Sequence, residues 1–176
     1  MKIYKHTLVF DFKPKENFKQ KAINYFSEYG FIYTDKGDSH LFFYKKSNFF
    51  EGWKMNPLNW ESEIELLLDQ NTIQITYKIV GLYITPKAFK TLYISFITNF
   101  KEYLISNKSY FLENKIQIKQ AKQKLGLYYV ILLMILLFGI FLSRMFIGGF
   151  FGVFLFIGIA YYSESVLNNY LEKKFS

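Results

Sequence analysis

The side chains able to do chemistry are few and widely spaced. His6 and His40 each stand without a second imidazole or a carboxylate at metal-binding spacing, so both read as ordinary strand histidines. Asp35 and Asp38 flank Gly37, but the further oxygen ligands of a calcium loop are missing and the segment reads as a turn. Glu61, Glu63 and Glu65 alternate and therefore project from one side of a strand. Paired carboxylates can serve as acid and base, but a solvent-facing row is the plainer account. The chain has no Cys, which excludes disulfides, thiolate metal sites and a cysteine nucleophile. Phosphate-binding, dinucleotide-binding, nucleophile-elbow and zinc-protease motifs are all absent. No catalytic residue, metal or cofactor is therefore assigned. Enzymatic chemistry would need carboxylates converging from distant segments.

Charge and aromatic content point first to nucleic acid. The formal net charge is +8, and residues 41–46 (LFFYKK) interleave aromatic and basic side chains, as a stacking platform for single strands would. Two features weaken that reading. Phe, Tyr, Lys, Ile and Asn are all encoded by AT-rich codons and dominate the chain, and Lys is used almost to the exclusion of Arg, as in an AT-rich, bacterial genome. The charge is also concentrated, since Lys108, Lys115, Lys119, Lys122 and Lys124 face only Glu113 within residues 108–124. A basic stretch beside an apolar one suits an anionic membrane surface better than a nucleic-acid groove, and Lys115, Lys119, Lys122 and Lys124 are the expected surface contacts.

That apolar stretch covers residues 125–163, with 19 uncharged residues on each side of Arg144. Each half matches the roughly 20 residues needed to cross a hydrocarbon core about 30 Å thick. One straight helix through both would be about 58 Å long and would tilt by about 60°, outside the usual range. It would also bury Arg144 at the midplane for about 2.5–3.5 kcal/mol. A transmembrane helical hairpin with its turn near residues 143–149 avoids both costs. Gly148, Gly149 and Gly152 ease that turn and let the two helices pack closely, with dimerisation through the same small-residue face as the alternative. Tyr128, Tyr129, Tyr161 and Tyr162 sit where an interfacial aromatic belt belongs. Basic residues flank the outer ends of the hairpin, so the positive-inside rule places both termini in the cytoplasm, at a bacterial inner membrane. Neither a cleaved secretory signal nor a cleaved carboxy-terminal lipid-anchor signal is expected.

The elements ahead of the hairpin follow from periodicity. Residues 2–12, rich in β-branched and aromatic side chains, read as a strand, and Phe18, Ala22, Tyr25, Phe26 and Tyr29 form a helical stripe closed by Gly30. Strands are expected over 31–34 and 39–45 around an Asp-Lys-Gly-Asp turn, and over 62–69 and 72–80 around Gln70 and Asn71. Thr85-Pro86 reads as the start of a second helix with its stripe through Phe89, Leu92, Tyr93, Phe96, Phe100, Tyr103 and Leu104. The expected fold class is α+β, a small two-layer sandwich of about five mostly antiparallel strands with two helices on one face, occupying 1–106. A basic juxtamembrane helix (107–124), the hairpin (125–163) and a cytoplasmic tail (164–176) follow. In the juxtamembrane helix Phe111, Asn114, Ile118, Ala121 and Leu125 recur at heptad spacing. They would pack on the soluble domain, remain solvated or pair as a short coiled coil.

Residues 47–60 (SNFFEGWKMNPLNW) carry both tryptophans and follow neither period. Phe49, Phe50, Trp53 and Trp60 either plug the edge of the core or form a partner-binding or headgroup patch. The function expected from these features is an interaction or regulatory module held at the membrane surface. Its partners would be the bilayer, through anionic headgroups, and either a second copy or another membrane protein. The alternative is a membrane-bound enzyme or small-molecule sensor with its pocket between the sheet and residues 47–60.

Overall fold

The computed structural model describes residues 2–13, 17–37, 39–46, 56–81, 86–146 and 158. The chain divides into two compact units, Met1–Ala121 and Lys122–Ser176.

The first unit has an α+β fold. Its strands are β1 (Lys2–Asp11), β2 (Ile32–Asp35), β3 (His40–Lys45), β4 (Ser62–Leu68) and β5 (Thr72–Gly81). Its helices are α1 (Phe18–Glu28), α2 (Lys90–Ser106) and the beginning of α3 (Phe111–Phe146). The strands form one antiparallel sheet in the order β1-β5-β4-β3-β2. A meander of three hairpin steps builds β2 to β5. Helix α1 carries the chain from β1 at one edge to β2 at the other, and β1 closes against β5. That last pairing joins residues as distant as Lys2 and Gly81, and local periodicity contains no trace of it.

Both α1 and α2 lie on the same sheet face, as the patterning predicts. The register sets His6, Tyr77, Ile64 and Phe43 in one row, and the row is covered from above. Phe26 of α1 lies 4.8 Å from Phe43 and 4.6 Å from Phe100 of α2, and Tyr93 of α2 meets Tyr77 edge-on at 5.6 Å. Rings at these separations and tilts add to the area that they bury.

Three local details differ from the sequence reading. Pro86 opens a single 3₁₀ turn, Pro86–Phe89, and the α-helix proper begins at Lys90. The basic helix begins at Phe111 and not at 107, because Asn107 takes a left-handed conformation (φ 57°) that ends α2. Asparagine tolerates that conformation, and Lys21 Nζ donates to its side-chain oxygen. The chain restarts as α3, where the Phe111 N–H reaches Ser109 Oγ at 3.4 Å. Helix α3 then runs unbroken through Arg144 to Phe146, so the helical backbone includes positions that the sequence reading gave to a turn. Gly148, Gly149, Gly152 and nearly all of the second apolar stretch lie outside the described residues.

Candidate interaction surfaces

Among the described residues no group of His, Cys, Asp or Glu is arranged to hold a metal. Glu63 and Glu65 instead meet Lys78 and His40 on the sheet face opposite α1 and α2. Strand alternation and register place Lys5, Lys78, Glu63 and Tyr44 in one row across β1, β5, β4 and β3, with Thr7, Thr76, Glu65 and Phe42 in the next. Lys78 Nζ lies 3.0 Å from Glu63 Oε2, and His40 Nε2 lies 2.7 Å from Glu65 Oε1. Thr7 and Thr76 join their hydroxyls at 3.2 Å. These rows surround a shallow depression of about 430 Å³ lined by Ile3, Lys5, Phe42, Thr76 and the ion-paired side chains. Glu61 precedes β4 and is exposed beyond the end of the strand.

Pairs this exposed add little to stability, typically 0–1 kcal/mol. Their consequence is a surface with acids on β4, lysines on β5 and β1, and aromatic residues on β3. Lys5 sits directly across from Lys78, an arrangement that costs rather than gains and concentrates positive charge at the β1 side.

The aromatic and basic run 41–46 is split by the same alternation. Leu41, Phe43 and Lys45 point into the core, while Phe42 and Tyr44 face outward. Lys45 Nζ donates to the Tyr29 carbonyl at 2.6 Å and to Asn59 Oδ1 at 3.0 Å, and it lies 5.6 Å from the centre of the Phe31 ring. A lysine committed to internal hydrogen bonds is not available to a phosphate, and half of the expected stacking platform belongs to the core.

Asp35 takes the turn role. Its carboxylate accepts the Gly37 N–H at 3.0 Å and pairs with Lys19 at 2.7 Å, and the lysine holds the carboxyl below its ordinary pKa. Of the aromatic loop, Phe49, Phe50 and Trp53 lie outside the described residues. Trp60 sets its ring edge-on to Phe89 at 5.4 Å, and Leu58 beside it is buried, so this end of the loop plugs the core edge.

Asn114 is the polar position of the heptad-spaced stripe in α3, and it is only 2% exposed. Its Nδ2 donates to Tyr25 Oη at 2.8 Å and to Tyr29 Oη at 2.7 Å, and its Oδ1 accepts from Asn99 Nδ2 at 2.7 Å. Tyr25 in turn donates to the Phe96 carbonyl at 3.0 Å. Both amide hydrogens and the amide oxygen are used, so the node costs no unsatisfied group. Burial raises the pKa of both tyrosines. Asn114 is therefore held by α1 and α2 and is not kept for a coiled coil. A lone Asn among apolar residues at helical spacing was the available sequence signal. Its tyrosine partners, 85 and 89 positions earlier, were not legible.

The expected lipid-facing lysines do not behave as one set. At about 100° per residue Lys115, Lys119 and Lys122 share one side of α3, whereas Lys124 falls about 180° from Lys115. The first three are exposed, and Lys124 is buried, 6% exposed. Farther along the helix Val130, Leu133, Met134, Leu137, Phe138 and Phe141 are all exposed. Over Phe111–Phe141 this is the one helix among the described residues that is long and apolar enough to cross a membrane. No protein family, curated protein or solved structure matches the chain.

Proposed function

We propose that the chain is a membrane-anchored interaction module without catalytic activity of its own, its α+β unit presenting the sheet face opposite α1 and α2 to a protein partner beside the bilayer. The observation that carries the reading is the exposed apolar surface of α3 from Val130 to Phe141, preceded by the exposed lysines Lys115, Lys119 and Lys122. A water-soluble helix of this length would hide one stripe against protein. Hydrocarbon accepts the whole circumference, and anionic headgroups attract the lysines by about 1 kcal/mol each. The second uncharged stretch, 145–163, completes a hairpin with both termini on the cytoplasmic side of a bacterial inner membrane.

The outer sheet face supports the interaction role. Five strands spaced about 4.8 Å apart and about seven residues long offer roughly 550 Å² to a partner, the size of a weak, transient interface. A depression in which Glu63, Glu65 and Lys78 are already matched and Lys5 alone is left over suits a polar protein surface better than a substrate, which needs several convergent unpaired groups. Gentle detergent extraction from native membranes should bring a protein partner out with the chain. The paired substitution Glu63→Lys with Lys78→Glu keeps the internal ion pair while inverting the pattern outside, and should release that partner. A chain that emerges alone, with a melting temperature raised by a small metabolite, would replace this reading with that of a sensor.

A further inference from the structure

The two edges of the sheet are not alike. The β2 edge is only four residues long, Ile32–Asp35, a length that limits pairing with other chains. Strand β1 is ten residues long, contains no proline, and pairs with β5 in one unbroken register from Lys2↔Gly81 to Asp11↔Thr72. Hydrogen-bonded and non-hydrogen-bonded pairs alternate along an antiparallel ladder. The Phe12 N–H donates to the Asn71 carbonyl at 2.8 Å in the continuation of this ladder, so the even-numbered residues of β1 bond to β5. The backbone N–H and C=O groups of Ile3, Lys5, Thr7, Val9 and Asp11 therefore point away from the sheet. Among the described residues nothing hydrogen-bonds to that edge. The side chains of Ile3 and Val9 are 53% and 59% exposed.

We propose that this edge binds a second copy of the chain, β1 against β1 in antiparallel fashion, joining two sheets into one of ten strands. Only two-fold arrangements that oppose odd-numbered residues to odd-numbered residues satisfy both free backbones and keep the helix-bearing faces on one side. Overlap and charge together select among them: an axis at Leu8 would face Lys5 with the partner copy's Asp11 but set Ile3 opposite Lys13, outside β1, whereas an axis at Thr7 pairs all five outward-facing residues within β1. A two-fold axis at Thr7 sets Lys5 opposite Val9 of the partner copy and Ile3 opposite Asp11. Lys5 is then diagonal to the partner copy's Asp11, within reach of a long side chain, and the contact occurs twice. On the helix-bearing face the same register sets Tyr4 opposite Phe10 and His6 opposite Leu8. An axis at His6 would instead bring the two Lys5 side chains together diagonally and set His6 against His6. Lys5 thus has two effects at this edge: it repels strands at random and admits one that carries a carboxylate at the matching place. The pairing is isologous and closed, so it stops at two copies.

The absence of native Cys makes the register directly readable in the full chain in mild detergent. Opposed residues of a hydrogen-bonded pair stand about 5.5 Å apart at Cα, inside the range that a disulfide spans. Oxidised Thr7→Cys should therefore run at doubled mass without reductant. Ile3→Cys should not, because its two copies would lie about 27 Å apart along the strands. A mixture of Ile3→Cys and Asp11→Cys chains should cross-link. Val9→Pro deletes an outward N–H without breaking a bond to β5, and should yield a monomer by light scattering with unchanged circular dichroism. A monomeric native chain, a dimer in which Thr7→Cys fails to cross-link, or equal cross-linking of Thr7→Cys and Ile3→Cys would overturn the proposal. None of these results depends on the partner of the outer sheet face, which the Glu63/Lys78 exchange tests separately.

Discussion

Two stretches of α3 use opposite logic. In the first turns the buried residue is the polar Asn114, with every hydrogen-bonding group matched, while Leu112 and Ile116 stand in the open beside Lys115 and Lys119. From Val130 to Phe141 the exposed side chains are almost all apolar, and no polar residue interrupts them. The first stretch is organised by specific partners on α1 and α2. The second is uniformly apolar around the helix, and a lipid solvent satisfies such a surface without specific partners. One continuous helix thus passes from a region anchored by matched hydrogen bonds to a region whose side chains are apolar throughout.

The strongest way to break that contrast is to make the second stretch polar. Leu133→Lys with Leu137→Lys should raise the cost of membrane insertion by roughly 6 kcal/mol and move the chain from the membrane to the soluble or aggregated fraction. Circular dichroism of the α+β unit should remain, because those positions are exposed. A smaller effect is expected at the other end. Asn114→Ala leaves Tyr29 Oη and the Asn99 amide without their buried partner, and should lower stability by about 1–3 kcal/mol in denaturant titrations while membrane association persists. The smallest effects belong to the lysines between the two stretches. Each of Lys115→Gln, Lys119→Gln and Lys122→Gln should weaken association with anionic vesicles by about 1 kcal/mol, an effect lost in neutral vesicles or high salt. Lys124→Gln should instead alter stability and leave vesicle affinity unchanged, since Lys124 is buried.

Much of the α+β unit could be read from the residues. The alternation of Ile73, Ile75, Tyr77 and Ile79 and the stripe of Phe18, Ala22, Tyr25 and Phe26 have periods that only one element type explains. What was not legible depended on pairing between distant segments. Closing β1 onto β5 fixes the strand order, makes β1 an edge and lines up Lys5, Lys78 and Glu63, yet nothing within either strand names the other. Lys45 looked like a surface cation until the register turned it inward to Tyr29 and Asn59. Lys124 looked like one more member of a basic run, because a count of charge ignores the side of the helix on which each residue falls. Asn107 ends α2 through its own backbone conformation, a feature that composition does not carry.

The central claim is that the later part of α3 lies in hydrocarbon. Washing membranes that contain the full chain with alkaline carbonate tests it directly, since that treatment strips peripheral proteins and leaves spanning ones. The chain should remain entirely in the membrane pellet, and should leave it when Leu133 and Leu137 are replaced by Lys. Release of the native chain into the carbonate supernatant would contradict the account.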